Sequence, residues 1–143
     1  MSARARIAGF ILLAGALGCG QQRDDCRTLI DTVGPRLAAI RALEQAKASD
    51  AGSAGAALEA TSAAYAELAE RLEHTPLATL KSEHVAGEYR QVARDLATEL
   101  RNLAVAVDKE DDALLKAATK RLKQLAQDEQ RMSRLLVNLC GKP

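Results

Sequence analysis

The chain holds few groups able to do chemistry: two histidines, one isolated glutamate and three cysteines. His74 and His84 are flanked by Glu73, Glu83 and Glu88, and a helical bundle can hold metal on such groups. A two-metal bundle site, however, uses Glu-x-x-His on facing helices. No Glu stands three residues before either histidine, and both lie near one turn, so surface or turn-packing roles fit them better. Axial ligation of a b-type haem by His and Met132 is the one haem chemistry left, because Cys-x-x-Cys-His is absent and covalent c-type attachment is excluded. Glu129 is the one charge on an apolar stripe, either a buried functional carboxylate or a rim charge paired with Lys or Arg. No Gly-rich phosphate loop, H-E-x-x-H or motif-supported Ser–His–Asp set occurs. The expectation is a protein that is not an enzyme, with no cofactor and no metal site. The thiols of Cys19, Cys26 and Cys140 can be acylated, oxidised in pairs or left free, and the compartment decides which.

That compartment is set by Ile7 to Gly20, IAGFILLAGALGCG. Arg4 and Arg6 give a positive start, an apolar run follows to Leu17, and small residues lead to Cys19, the layout of a secretory signal peptide. The run is shorter than the roughly 20 apolar residues of a transmembrane helix. Ala16-Leu17-Gly18-Cys19 resembles a bacterial lipobox, in which cleavage precedes a cysteine that carries a diacylglyceryl group. Ala16 and Leu17 stand where the family usually has Leu and a small residue. The resemblance implies that residues 1–18 are removed and that Cys19 is a lipid anchor. Each buried methylene contributes about 0.8 kcal/mol, so two or three chains hold a protein on a membrane almost permanently. The rival is ordinary cleavage after Ala14-Gly15-Ala16, which leaves Cys19 a plain thiol. If lipid takes Cys19, Cys26 and Cys140 remain as a pair that an oxidising compartment can join, the alternative being two buried thiols.

Loss of Arg4 and Arg6 reduces the 20 basic residues to 18 against 19 acidic, so the mature chain is nearly neutral. Neither that charge nor the aromatics, with Trp absent and Tyr65 and Tyr89 alone after the signal, suits nucleic-acid binding. The remaining length of about 120 residues is that of one domain. Ala, Leu, Glu, Lys, Arg and Gln dominate it and all favour helix.

Four helices are expected to position these groups. Residues 19–23 read as an anchor and short polar tether, with up to about 20 Å of extended chain between Cys19 and Cys26. Asp24 and Asp25 suit a helix start, and Cys26, Ile30, Val33, Leu37 and Ile40 form one face of a helix to about Ala48. Gly34-Pro35 predicts a kink in that helix, or a break into two. After a loop at 49–55, Leu58, Thr61, Tyr65, Leu68 and Leu72 make a second stripe to about His74, ended by Thr75-Pro76. Leu77 and Leu80 belong to a turn or short helical piece at Pro76–Lys81, and Val85, Tyr89, Val92, Leu96, Leu100, Leu103 and Val107 stripe a third helix from near Ser82. Tyr65 and Tyr89 are expected to meet in the core with their hydroxyls reaching an edge. Asp108 is placed to cap a fourth helix carrying Leu114, Ala118, Leu122, Leu125, Met132, Leu136 and Leu139, which Gly141 and Pro143 end.

The expected fold is all-α: an antiparallel up-and-down four-helix bundle over 24–141, its first helix kinked at Gly34-Pro35, closed by Cys26–Cys140. An even number of antiparallel helices brings the two cysteines to the same end, and a disulfide needs Cα atoms about 4.4–6.8 Å apart. Cys26, the Pro76…Leu80…His84 run and Leu139-Cys140-Gly141 together resemble small exported bacterial bundle proteins, whose motifs carry no activity. The functional expectation is a non-enzymatic interaction or structural module of the bacterial envelope. It would sit on the cell or outer membrane through the lipid on Cys19, facing the periplasm or exterior, with an envelope protein as partner. The alternative is a carrier holding a small apolar ligand or haem inside the bundle.

Overall fold

The computed structural model describes residues 14–49 and 54–141, with side chains placed from residue 20 onward except at 47–49. It is built from α1 (Ala14–Ser49), α2 (Ala54–Glu73), α3 (Leu80–Asp108) and α4 (Asp112–Cys140). The helices run up and down, and the described residues contain no strand. The cleavage and acylation expected at Cys19 concern a side chain outside the described residues, as does Pro143.

Cys26 and Cys140 are joined by a disulfide with Cα atoms 5.3 Å apart. Beside it, Gln22 Nε2 donates to the Leu139 carbonyl at 3.2 Å. These links fasten the two outer helices at one end, which also holds the α2–α3 turn. Elsewhere α1 meets α4 sparsely and packs chiefly on α2, whereas α2 with α3 forms the most extensive pairing and α3 with α4 the next. Small residues explain the first of these, since Ala69 and Ala93 are both buried in the core and let two backbones approach. Within that pairing the Ser62 hydroxyl donates to the Ala97 carbonyl at 2.6 Å.

The core takes Leu29, Val33 and Ile40 from α1, Tyr65, Leu68 and Leu72 from α2, Val85, Tyr89, Val92 and Leu96 from α3, and Leu125, Met132 and Leu139 from α4. Most are the expected stripe positions. Two are not as expected: Ile30 is 42 % exposed while Leu29 is buried, and Val107 is 37 % exposed. Burial on α1 is turned toward α2 because α4 covers its other side only near the disulfide. Leu80 opens α3 as its first helical residue, one turn ahead of the core.

The termini correct two further expectations. The first helix does not start at Asp24: residues 20–23 are already helical, and at 1.5 Å per residue the seven steps from Cys19 to Cys26 span about 10 Å. The helix also passes Gly34-Pro35 without interruption, which settles the choice between one helix and two. Asp111, not Asp108, caps α4, its carboxylate accepting from the Leu114 N–H at 3.0 Å, while Asp108 ends α3. Gly141 closes α4 at φ 80°, a backbone angle that glycine takes without a Cβ clash, and its N–H donates to the Val137 carbonyl.

Candidate functional site

Two polar clusters enter this apolar body. The first is Asp25, only 4 % exposed, whose Oδ1 accepts from the Ala78 N–H at 2.8 Å and whose Oδ2 accepts from the Thr79 N–H at 2.9 Å and the Thr79 hydroxyl at 2.7 Å. Thr79 is itself the cap of α3, its Oγ1 accepting from the Ser82 N–H at 3.4 Å. An aspartate of α1 thus ties down the α2–α3 turn across more than 50 residues of sequence. Burial alone would raise its pKa, but the hydrogen bonds from Ala78 and Thr79 outweigh it and hold the carboxyl below its ordinary 3.8. This is a structural role, and it replaces the helix-start role expected of Asp25.

The second cluster lies where α1 and α4 diverge, and all four helices contribute to it. Glu129 of α4 is half-buried, and the Tyr65 hydroxyl of α2 donates to its Oε1 at 3.0 Å. Burial raises the Glu129 pKa above its ordinary 4.5 and Glu44 adds to this, against the Tyr65 hydrogen bond and the charge of Arg41. Desolvation, then the charge of Glu129, pushes both tyrosines well above the usual phenol range. Tyr89 of α3 is 1 % exposed and its hydroxyl has no hydrogen-bond partner; Ser133 moderates its pKa without reaching bonding geometry. The expectation that both hydroxyls reach an edge therefore holds for Tyr65 only. Between α1 and α4 the cluster opens into a cavity of about 140 Å³, with Arg41, Glu44, Tyr65, Glu129 and Ser133 in its wall. Arg41 and Glu44 make no hydrogen bond or ion pair among the described residues.

The linkage sign for Glu129 is set by its raised pKa. The folded state favours the protonated carboxyl, so stability from this group is full below about pH 4.5, the unfolded value, and is lost as pH rises through the folded one. Glu129→Gln keeps an oxygen for Tyr65 and cannot ionise. Thermal melts of wild type and variant should agree within about 1 kcal/mol near the acid end. Above the folded pKa the variant should be the more stable of the two.

The histidines stay apart from this chemistry. His74 Nδ1 lies 2.8 Å from the Glu70 carbonyl oxygen, and His84 Nε2 lies 3.5 Å from Glu88 Oε1 on the same helix face. Both are exposed, whereas Met132 is fully buried. No group of three His, Cys, Asp or Glu able to hold a metal occurs among the described residues. A larger opening of about 510 Å³ between α1 and the end of α2 is an open groove walled by Thr28, Thr32, Arg36, Arg71, His74 and Pro76. Arg36 is held there by Glu67 at 2.7 Å. No helix among the described residues is long and apolar enough to cross a membrane. No family model matches the chain, and neither a curated protein nor a solved structure matches it.

Sequence reasoning found Glu129, as the one charge on its stripe, and both tyrosines. It did not connect them, and it passed over Arg41 and Glu44, which lie on the exposed side of α1 and carry no signal in spacing. The cavity's small volume and charged wall do not suit apolar cargo or haem, since drug-sized ligand sites run from about 300 Å³ upward.

Proposed function

We propose that this protein is a lipid-anchored, non-enzymatic module of the bacterial envelope that works through its surface, as an interaction or structural protein. The observation that supports it is the pairing of Cys26 with Cys140, which accounts for two of the three cysteines and sets apart the third, Cys19, within the lipobox-like Ala16-Leu17-Gly18-Cys19. A disulfide between chain ends suits an exported protein, and α1 leads from the lipobox-like segment directly into the disulfide end. An anchored body would then stand with its Cys26–Cys140 end toward the bilayer, about 10 Å of helix away from the acylated residue. The α3–α4 connection, at the other end of the bundle, would face a partner.

The test is the mass of the protein extracted mildly from the membranes of its producing cell, with and without reductant, followed by crosslinking in intact cells. A mass beginning at a diacylated Cys19 and shifted by one reducible bond, with crosslinks to another envelope protein, is the expected result. An unlipidated chain beginning at Leu17 would overturn the anchor.

A further inference from the structure

We propose that the outward face of α4 is a docking strip for a linear carboxylated polysaccharide. The inference goes beyond the anchored-module reading and does not depend on it. Lys116, Lys120, Lys123, Arg131 and Arg134, with Gln127 among them, follow the three–four spacing of a helix. All six are exposed, and they lie opposite Ala118, Leu125 and Met132, which the same helix buries. The strip therefore runs straight along the helix axis for about 27 Å, at 1.5 Å per residue. No carboxylate interrupts it. Asp112 belongs to the first turn, Asp128 reaches Arg131 at 3.8 Å from beside the strip, and Glu129 is turned to Tyr65. Lys116, Lys120, Lys123 and Arg134 make no ion pair among the described residues, whereas Arg71, Arg90 and Arg94 on the α2–α3 side are each met by Glu67 or Glu73. Like charges three and four residues apart repel along a helix, and an anion laid across Lys116, Lys120 and Lys123 would relieve that repulsion.

The shape and composition of the strip select its occupant. Protein interfaces centre on apolar and aromatic residues and are poor in lysine. The exposed large apolar residues of α4, Leu115 and Val137, stand near opposite ends of the helix and supply no such centre. An anionic bilayer asks for a broad cationic face, but Asp95 of α3, 4.0 Å from Arg121, and Asp128 bound the strip and keep it narrow. A nucleic acid asks for aromatic faces to stack its bases, and both tyrosines are in the core. A single extended polyanion matches what remains. Thr119, Gln127 and Asn138 are exposed along the same face, and hydroxyl and amide groups both donate and accept. They suit a chain whose own hydroxyls do the same, which makes the polymer a glycan bearing carboxylates and not a polyphosphate, whose oxygens only accept.

Full-length protein in neutral detergent is titrated with sodium polygalacturonate. Binding is read by calorimetry and by the protection of each lysine from amine acylation, located by mass spectrometry. Dextran is the uncharged control, while sodium polyphosphate and phosphatidylglycerol added to the micelles supply a phosphate polymer and an anionic lipid surface. Saturable binding of polygalacturonate that weakens as salt is raised, with Lys116, Lys120 and Lys123 protected, is expected, and dextran should give none. Replacing those three lysines together by glutamine should weaken binding at least tenfold. The same change of charge at Arg23, Arg27 and Lys81, exposed side chains away from the strip, should cost less than twofold, which separates a docking strip from an effect of net charge. Circular dichroism checks that both triple variants are folded. No saturable binding, or equal losses in the two variants, would overturn the proposal. Protection of the three lysines by phosphatidylglycerol or polyphosphate that equals or exceeds that by polygalacturonate would overturn it as well, in favour of a bilayer or a phosphate polymer.

Discussion

Replacing Cys26 and Cys140 together by serine is expected to lower the free energy of unfolding by about 3–5 kcal/mol. The bond spans 114 residues, so it restricts nearly the whole unfolded chain. In the chain-entropy account a loop of roughly 100 residues is worth about 4.7 kcal/mol. The folded state adds a second reason. α1 touches α4 sparsely and the links between them gather at the disulfide end, so without the bond α1 is held mainly by its packing on α2. Urea unfolding with and without reductant measures the total, and hydrogen exchange locates it. Protection should fall most in α1 and least in the α2–α3 pair. A loss under 1 kcal/mol would mean that the outer helices hold together by packing alone.

Asp25→Ala is expected to cost about 2–4 kcal/mol, because it strips the acceptor from two backbone N–H groups and one hydroxyl in a place that water reaches poorly. The same carboxylate sets an acid limit. Its folded pKa lies below the unfolded value near 3.8, so its contribution is complete above that value and disappears as pH falls through the folded one. Wild type should therefore lose stability on acidification more steeply than the Ala variant, and the two curves should converge at the acid end. Parallel curves would show that Asp25 does not hold the turn as an anion.

Much of the fold is legible in the sequence because its signals are local. Thr75-Pro76 stops α2, Gly141 stops α4, and the three–four spacing of Leu68 with Leu72, or of Val85 with Tyr89 and Val92, needs only the helix period to be read. The failures have a common cause in distance along the chain. Asp25 looks like the cap of its own helix, since capping patterns are written within one turn, yet it serves a turn more than 50 residues away. Ile30 seems as good a core residue as Leu29 until the open α1–α4 flank shows which side of α1 is covered. Among the clustered acids at 108–112, composition marks a helix start but not which carboxylate caps it. Glu129 is visible as an anomaly, while its partner Tyr65 lies 64 positions earlier and nothing in either stretch announces the other.

In the lipid-anchored protein proposed above, the continuous first helix and the bond seven residues past Cys19 also decide how the body bears load. Tension entering along the stem of α1 reaches Cys26 and divides there, one share continuing into α1 and the other crossing covalently to the end of α4. A pull that would otherwise peel the outermost helix from its neighbours instead tugs on both chain ends at one point. The pair α2–α3, the most closely packed part of the molecule, lies beyond that fork and is the last to be strained.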